Sequence, residues 1–305
     1  MADLPQSWKL TLPCTRAEAE AISNDLMLFM EMPSPPVLMT SEADPAQPEA
    51  WQLDAYFEDE PDDGTIAALQ RLIPSSTGFA PTVQALAAED WLTLSQAGLE
   101  PISTACFFVH TSAYADDLPA DRTPLRIDAG QAFGTGQHHT TTGCILMLER
   151  LKRKGARFDE IADIGTGTGL LAFVAHKLWP NARVVASDID PIAIAVAGEN
   201  AAINGIPLGT GRGKVELVTA AGLANRRIRR NAPYDLVIAN ILADPLVTLA
   251  PAMASALLPG GSLILAGLLD HQADRVAQAY RRRRLRLADR LSRDEWPTLR
   301  MVMRP

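Results

Sequence analysis

Asp163–Ile164–Gly165–Thr166–Gly167–Thr168–Gly169–Leu170 is the stretch on which the fold of this chain turns. It joins an apolar run, Glu160–Ile164, that reads as a strand to a helical pattern ending near Leu178. Glycines at such a junction permit a tight turn and let a ligand approach the backbone closely. The spacing is GxGxG, and Leu170 stands where a dinucleotide fingerprint requires its third glycine. Asp163 lies two residues before the first glycine, where a carboxylate repels a pyrophosphate and attracts an ammonium. A loop built from Asp163, Gly165, Gly167 and Gly169 therefore suits cationic S-adenosylmethionine better than an anionic dinucleotide.

Downstream, the same strand–helix rhythm repeats. Arg183–Ser187 reads as a strand and Pro191–Asn204 as a helix, with Asp190 as its cap, Pro191 at its first position and Gly205 after it. Tyr234–Ala239 reads as another strand. The helix after it opens on Asp244–Pro245 and keeps apolar residues at helical spacing as far as Leu257. A turn at Pro259–Gly260–Gly261 leads into strand Ser262–Ala266, and Leu285–Asp289 with Pro297–Arg304 can close as an edge hairpin. Repeated βα units with apolar strands imply a mainly parallel sheet covered on both faces, which binds ligands at the carboxyl ends of its strands. The candidate residues fall at such ends. Asp188 is placed to accept hydrogen bonds from both ribose hydroxyls. Asn240, directly after a buried strand, can offer its side-chain carbonyl to an incoming amine and turn the nitrogen lone pair toward a methyl sulfonium, a candidate catalytic role. A further constellation runs from Asp128 to Thr141, with two glycines beside Phe133 and hydroxyls opening a helix over Thr142–Lys154; it describes a mobile loop anchored to a helix start. Its His138–His139 pair has no third ligand at usable spacing, so no metal site is expected.

Residues 1–80 have a different texture: WKLTLP, PPVLMT and WQLDAYF read as short strands, and Thr15–Phe29 and Gly64–Leu72 as helices. This is a small α+β domain; residues 81–98, helical in pattern over Thr82–Ser95, form a linker helix, and residues 99–305 form the α/β domain. With 47% hydrophobic and 21% charged residues, the composition is that of a soluble globular protein rather than a disordered or membrane-spanning chain. Cys14, Cys106 and Cys144 are odd in number and far apart, so neither a disulfide framework nor a zinc site is encoded, and a cytoplasmic location is expected. A net charge of −8 argues against direct nucleic-acid binding and for a basic protein partner. The Arg226–Arg230 and Arg281–Arg284 clusters read as solvated surface, as does the acidic run between Glu42 and Asp63.

Four strings, AFGTGQHHTT, DIGTGTGLLA, ASDIDPIAIAVAGENAAING and ANILADPLVTLAP, together resemble the ribosomal protein L11 methyltransferases over roughly residues 85–305. The pairing of an AFGTGxHxTT loop with an NILA motif is not a general methyltransferase feature. The resemblance implies a seven-stranded class I methyltransferase domain of Rossmann-like type, preceded by a ferredoxin-like substrate-recruiting domain. It implies methylation of lysine side chains and the terminal amine of ribosomal protein L11, by an enzyme expected to be a monomer. The implied cofactor contacts are Thr141, Gly165, Asp188 and Asn240, with Phe133 and its loop closing on the methionine part. Thr166 stands where many members have Cys, a small-for-small change, and residues 1–80 match the family only loosely. Competing readings are a lysine methyltransferase acting on another protein, such as electron-transfer flavoprotein, and a non-enzymatic cofactor-binding module. The first is disfavoured by the AFGTGxHxTT loop, the second by Asn240, which a mere binder does not need.

Overall fold

A computed structural model describes residues 7–22, 36–43, 50–57, 59–86, 101–115, 118–127 and 137–305. The chain divides into two compact units, Met1–Gly98 and Leu99–Pro305.

In the first unit, the described residues form β1 (Ser7–Thr15), α1 (Arg16–Ile22), β2 (Val37–Glu42), β3 (Ala50–Phe57), α2 (Asp63–Leu72) and β4 (Thr82–Leu86). The strands pair antiparallel in the order β2-β3-β1-β4, the ferredoxin-like arrangement. Strand alternation sorts the faces. Leu10, Leu12 and Cys14 of β1 and Leu53 and Ala55 of β3 form one core with Ala19 of α1 and Leu69 of α2. On the opposite face Asp54 accepts a hydrogen bond from Thr11 Oγ1 at 2.6 Å and pairs with Lys9 Nζ at 2.9 Å. Thr82–Leu86, expected as the start of a linker helix, is instead an edge strand against β1. The helical apolar spacing is outweighed by sheet pairing, which turns Val83 onto the core. Residues 87–98, the rest of that expected helix, lie outside the described residues.

The second unit opens with a small sheet of β5 (Ile102–Ser103), β6 (Phe107–His110) and β7 (Thr123–Arg126). There follow α3 (Gln137–Arg153), β8 (Glu160–Ile164), α4 (Leu170–Leu178), β9 (Arg183–Asp188), α5 (Pro191–Ile203), β10 (Val215–Thr219), α6 (Arg226–Asn231) and β11 (Tyr234–Asn240). The chain closes with α7 (Ala243–Ser255), β12 (Leu257–Ala266), α8 (Asp270–Arg281), β13 (Leu285–Arg293) and β14 (Trp296–Met303). Among the described residues these strands make a seven-stranded sheet in the order β10-β9-β8-β11-β12-β14-β13, parallel except for β14. This is the class I methyltransferase sheet. Two cores cover it: residues of α3 and α4 pack on one face and residues of α7 and α8 on the other. No helix among the described residues is long and apolar enough to cross a membrane.

Two boundaries differ most from the sequence reading. Helix α3 begins at Gln137, five residues before the expected Thr142, so His139, Thr140 and Thr141 belong to its first turns. Consecutive threonines are weak helix formers, but Thr140, Thr141 and Thr142 are all buried, and tertiary packing overrides propensity. Strand β12 runs through Pro259–Gly260–Gly261, expected as a turn, because the ladder to β11 slips there: Tyr234 pairs with Leu257 but Leu236 with Ser262.

Candidate active site

The strand order reverses direction at β8, whose neighbours are β9 on one side and β11 on the other. A crevice at the carboxyl ends of such strands is the expected ligand site of an open α/β sheet. Strand parity decides which side chains reach it. Ile161 of β8 and Leu236 and Ile238 of β11 belong to the core on the α3 side, and Ile238 is the register partner of Asp163. Asp163 and Asn240 share that parity, so both point to the α3 face.

The glycine loop lies between them and β9. Its first amides are tied down: the N–H groups of Gly165 and Thr166 both donate to the Ser187 carbonyl, at 2.8 and 2.9 Å. All three loop glycines have positive φ, +74°, +54° and +86°. Their surroundings differ. A Cβ on Gly165 would lie 2.2 Å from Ile241 Cγ2, and one on Gly169 would lie 2.4 Å from the ring of Phe173. A Cβ on Gly167 would meet nothing within 4 Å. Two glycines are thus demanded by packing, and the middle one faces open space of the kind a ligand fills.

Asp188 is half-buried and braces this loop. One carboxylate oxygen accepts the Gly167 N–H at 2.8 Å and the other the Asp190 N–H at 3.1 Å. Each oxygen keeps a lone pair for a hydroxyl. Asp190 caps α5 through the Ile192 N–H at 2.8 Å, as its sequence position suggested. Asp163 is 1% exposed; Oδ2 accepts the Thr166 hydroxyl at 2.6 Å, and Oδ1 has no hydrogen-bond partner. Burial raises its pKa to about 7, against the pull of the Thr166 hydrogen bond and the Ala172 amide, and the nearby Asp188 charge adds to the rise. Asn240 donates from Nδ2 to Thr141 Oγ1 at 3.2 Å, and its buried Oδ1 has no hydrogen-bond partner. Two apolar side chains flank these groups in the chain and stand open to solvent: Ile189, next to Asp188, is 72% exposed, and Leu242, two residues after Asn240, is 73% exposed.

A family model described as "Ribosomal protein L11 methyltransferase (PrmA)" matches residues 6–304. The chain belongs to that family. It is 40% identical over 258 residues to "Ribosomal protein L11 methyltransferase" of Caulobacter sp. (strain K31), covering 84% of each chain. It is 36% identical over 292 residues to the protein of the same name in Rhizobium rhizogenes (strain K84 / ATCC BAA-868), covering 95% of this chain and 97% of that one. Among solved structures it is similar to the ribosomal protein L11 methylase of Lactobacillus delbrueckii subsp. bulgaricus, with 29% identity and a TM-score of 0.57 over 68% of this chain and 99% of that one.

Within this family member, the structure brings Thr141, Asp163, Gly165, Gly167, Gly169, Asp188 and Asn240 to one edge of the sheet. Phe133 and the rest of its loop, residues 128–136, lie outside the described residues. His139, read as a loop histidine, is in α3, with Nδ1 3.2 Å from Asp294 Oδ2. Among the described residues no group of three His, Cys, Asp or Glu is placed to hold a metal ion. Sequence reasoning missed two features. In the sequence Thr166 is only a small-for-small change, yet its hydroxyl is the hydrogen-bond partner of Asp163. Ile241, part of the NILA string, fills the space beside Gly165 and so packs the loop after β11 against the loop after β8. A hydroxyl three residues after a buried acid was the available signal for the first; nothing in the sequence announces the second.

Proposed function

We propose that this family member transfers methyl groups from S-adenosylmethionine to lysine side chains and the terminal amine of ribosomal protein L11. The observation that carries the reading is the Asn240 side chain, whose Nδ2 is held by Thr141 and whose buried Oδ1 is left without a partner. An unpaired buried acceptor at the carboxyl edge is costly unless a donor from outside completes it, and an amine N–H does so.

The residues present fit the cofactor. The open space at Gly167, the braced carboxylate of Asp188 and the unpartnered oxygen of Asp163 offer, in turn, room against the backbone, acceptors for ribose hydroxyls and an anion for an ammonium. Gly165 and Gly169 hold the loop that bears Gly167, Thr141 supports Asn240, and Phe133 is the residue that the family resemblance implies for the methionine end. When bound, S-adenosylmethionine supplies a methyl group on a sulfonium. The protein's part is positioning: Asn240 Oδ1 accepts a hydrogen from the target amine and directs the nitrogen lone pair, and water takes the proton that ionised lysine must lose. Asparagine cannot act as a base, so alignment rather than proton abstraction provides the rate.

The first unit, through residues 1–80, recruits the substrate, and the enzyme works as a cytoplasmic monomer. A lysine methyltransferase for another protein or a non-enzymatic cofactor module is the less favoured reading, since 36–40% identical relatives covering most of the chain share one name. The Asn240→Ala variant tests the assignment. Methylation of L11, followed by mass spectrometry, should slow by about 100-fold or more, the usual cost of a misaligned reacting group. An unchanged rate would remove Asn240 from the mechanism.

A further inference from the structure

We propose that Asp163 releases a proton to solvent when the ammonium-bearing cofactor enters, and that Thr166 is the positioning residue that holds the carboxyl group for this exchange. The inference rests on the cofactor reading above and extends it to the charge state of the empty site.

Asp163 is 1% exposed, Oδ2 accepts the Thr166 hydroxyl, and Oδ1 has no hydrogen-bond partner. Two titratable groups face it: the carboxylate of Asp188 across the glycine loop, and the thiol of Cys144 from the α3 side, fully buried and itself pushed up by burial and by the Asp163 charge. Neither is a cation, and among the described residues no cation acts on Asp163. A buried carboxylate without a counter-charge keeps its proton until one is supplied. The Thr166 hydroxyl and the Ala172 amide in the first turn of α4 favour the ionised form, so the balance falls near neutrality rather than far above it. An ammonium at the glycine loop tips that balance: the O–H bond of the carboxyl breaks, the proton passes to the buffer, and the anion stays beneath the bound cation. The sign follows. Because the carboxyl of the empty protein is raised, to about 7, and a cation lowers it, affinity is low in acid, climbs as pH rises toward about 7, and levels off above it.

The test is titration calorimetry of the full-length protein with S-adenosylhomocysteine, which carries the ammonium, and with 5′-methylthioadenosine, which does not. Buffers of different ionisation enthalpy are used from about pH 5.5 to about pH 8.5. Wild-type protein should release protons to the buffer on binding S-adenosylhomocysteine, and its affinity should rise by up to about tenfold per pH unit below neutrality. Binding of 5′-methylthioadenosine should be flat with pH, and Asp163→Asn should abolish the proton release. Thr166→Val should displace the whole profile to higher pH by about one unit, the effect of one lost hydrogen bond to the charged form, and Thr166→Ser should restore it. Buffer-independent heats with pH-independent affinity in the wild type would overturn the proposal, as would a Thr166→Val profile identical to wild type. If the wild type bound neither compound at any pH, the cofactor reading itself would be at fault.

Discussion

Replacing Gly167 by alanine should separate ligand binding from folding. The native φ of Gly167 is +54°, and the added Cβ would meet no atom within 4 Å. The stability cost is then the left-handed backbone alone, about 1–2 kcal/mol for an L-residue, offset by about 0.4–1 kcal/mol because alanine restricts the unfolded chain. A net cost of about 1 kcal/mol lowers Tm by only about 2–4 °C for a unit of this size. The methyl group would project into the space assigned to the cofactor, where an intrusion of one carbon costs about 1–3 kcal/mol, or roughly fivefold to over a hundredfold in Kd. Gly165→Ala and Gly169→Ala are the controls. Their Cβ atoms would fall 2.2 Å from Ile241 Cγ2 and 2.4 Å from the buried Phe173 ring, so both should destabilise the fold severely. Scanning calorimetry and titration with S-adenosylhomocysteine, run on all three variants, read both effects. A Gly167→Ala protein that binds within twofold of wild type would show that the open space beside Gly167 is not where the cofactor lies.

Two further outcomes follow. Residues 99–305 expressed alone should retain wild-type affinity for S-adenosylmethionine by calorimetry but methylate L11 with a much lower kcat/KM, because remote contacts that position the target amine are lost; full efficiency would refute a recruiting role for the first unit. With saturating cofactor, the methylation rate should rise steadily from neutral to alkaline pH, since free lysine titrates near about 10.4 and no base is assigned; a bell-shaped profile centred near neutrality would implicate a histidine, His138 first.

How much was legible depended on whether the signal was local. Asp190–Pro191 and Gly205 mark the ends of α5 by chemistry that acts within one turn, and the structure agrees to within a residue. The glycine spacing after β8 and the acid ending β9 likewise declare a strand-to-helix turn without reference to the rest of the chain. Misreadings arose where distant packing decides. Thr82–Leu86 has the apolar spacing of a helix start, and only pairing with β1 makes it a strand. The threonines before the expected start of α3 are drawn into the helix because they are buried, not because they favour it. Of the candidate site, residue identities were readable, but the pairings were not: Thr166 with Asp163 depends on a turn geometry, and Thr141 with Asn240 joins residues 99 positions apart.

Methyl transfer to the amines of one ribosomal protein can be watched by incubating the wild-type protein with S-adenosylmethionine and purified, unmethylated L11, then measuring the intact mass of L11 and mapping its peptides. The expected outcome is a time-dependent gain in whole methyl steps, confined to lysine side chains and the terminal amine. An L11 mass that does not change, or methyl groups found on residues without an amine, would contradict it.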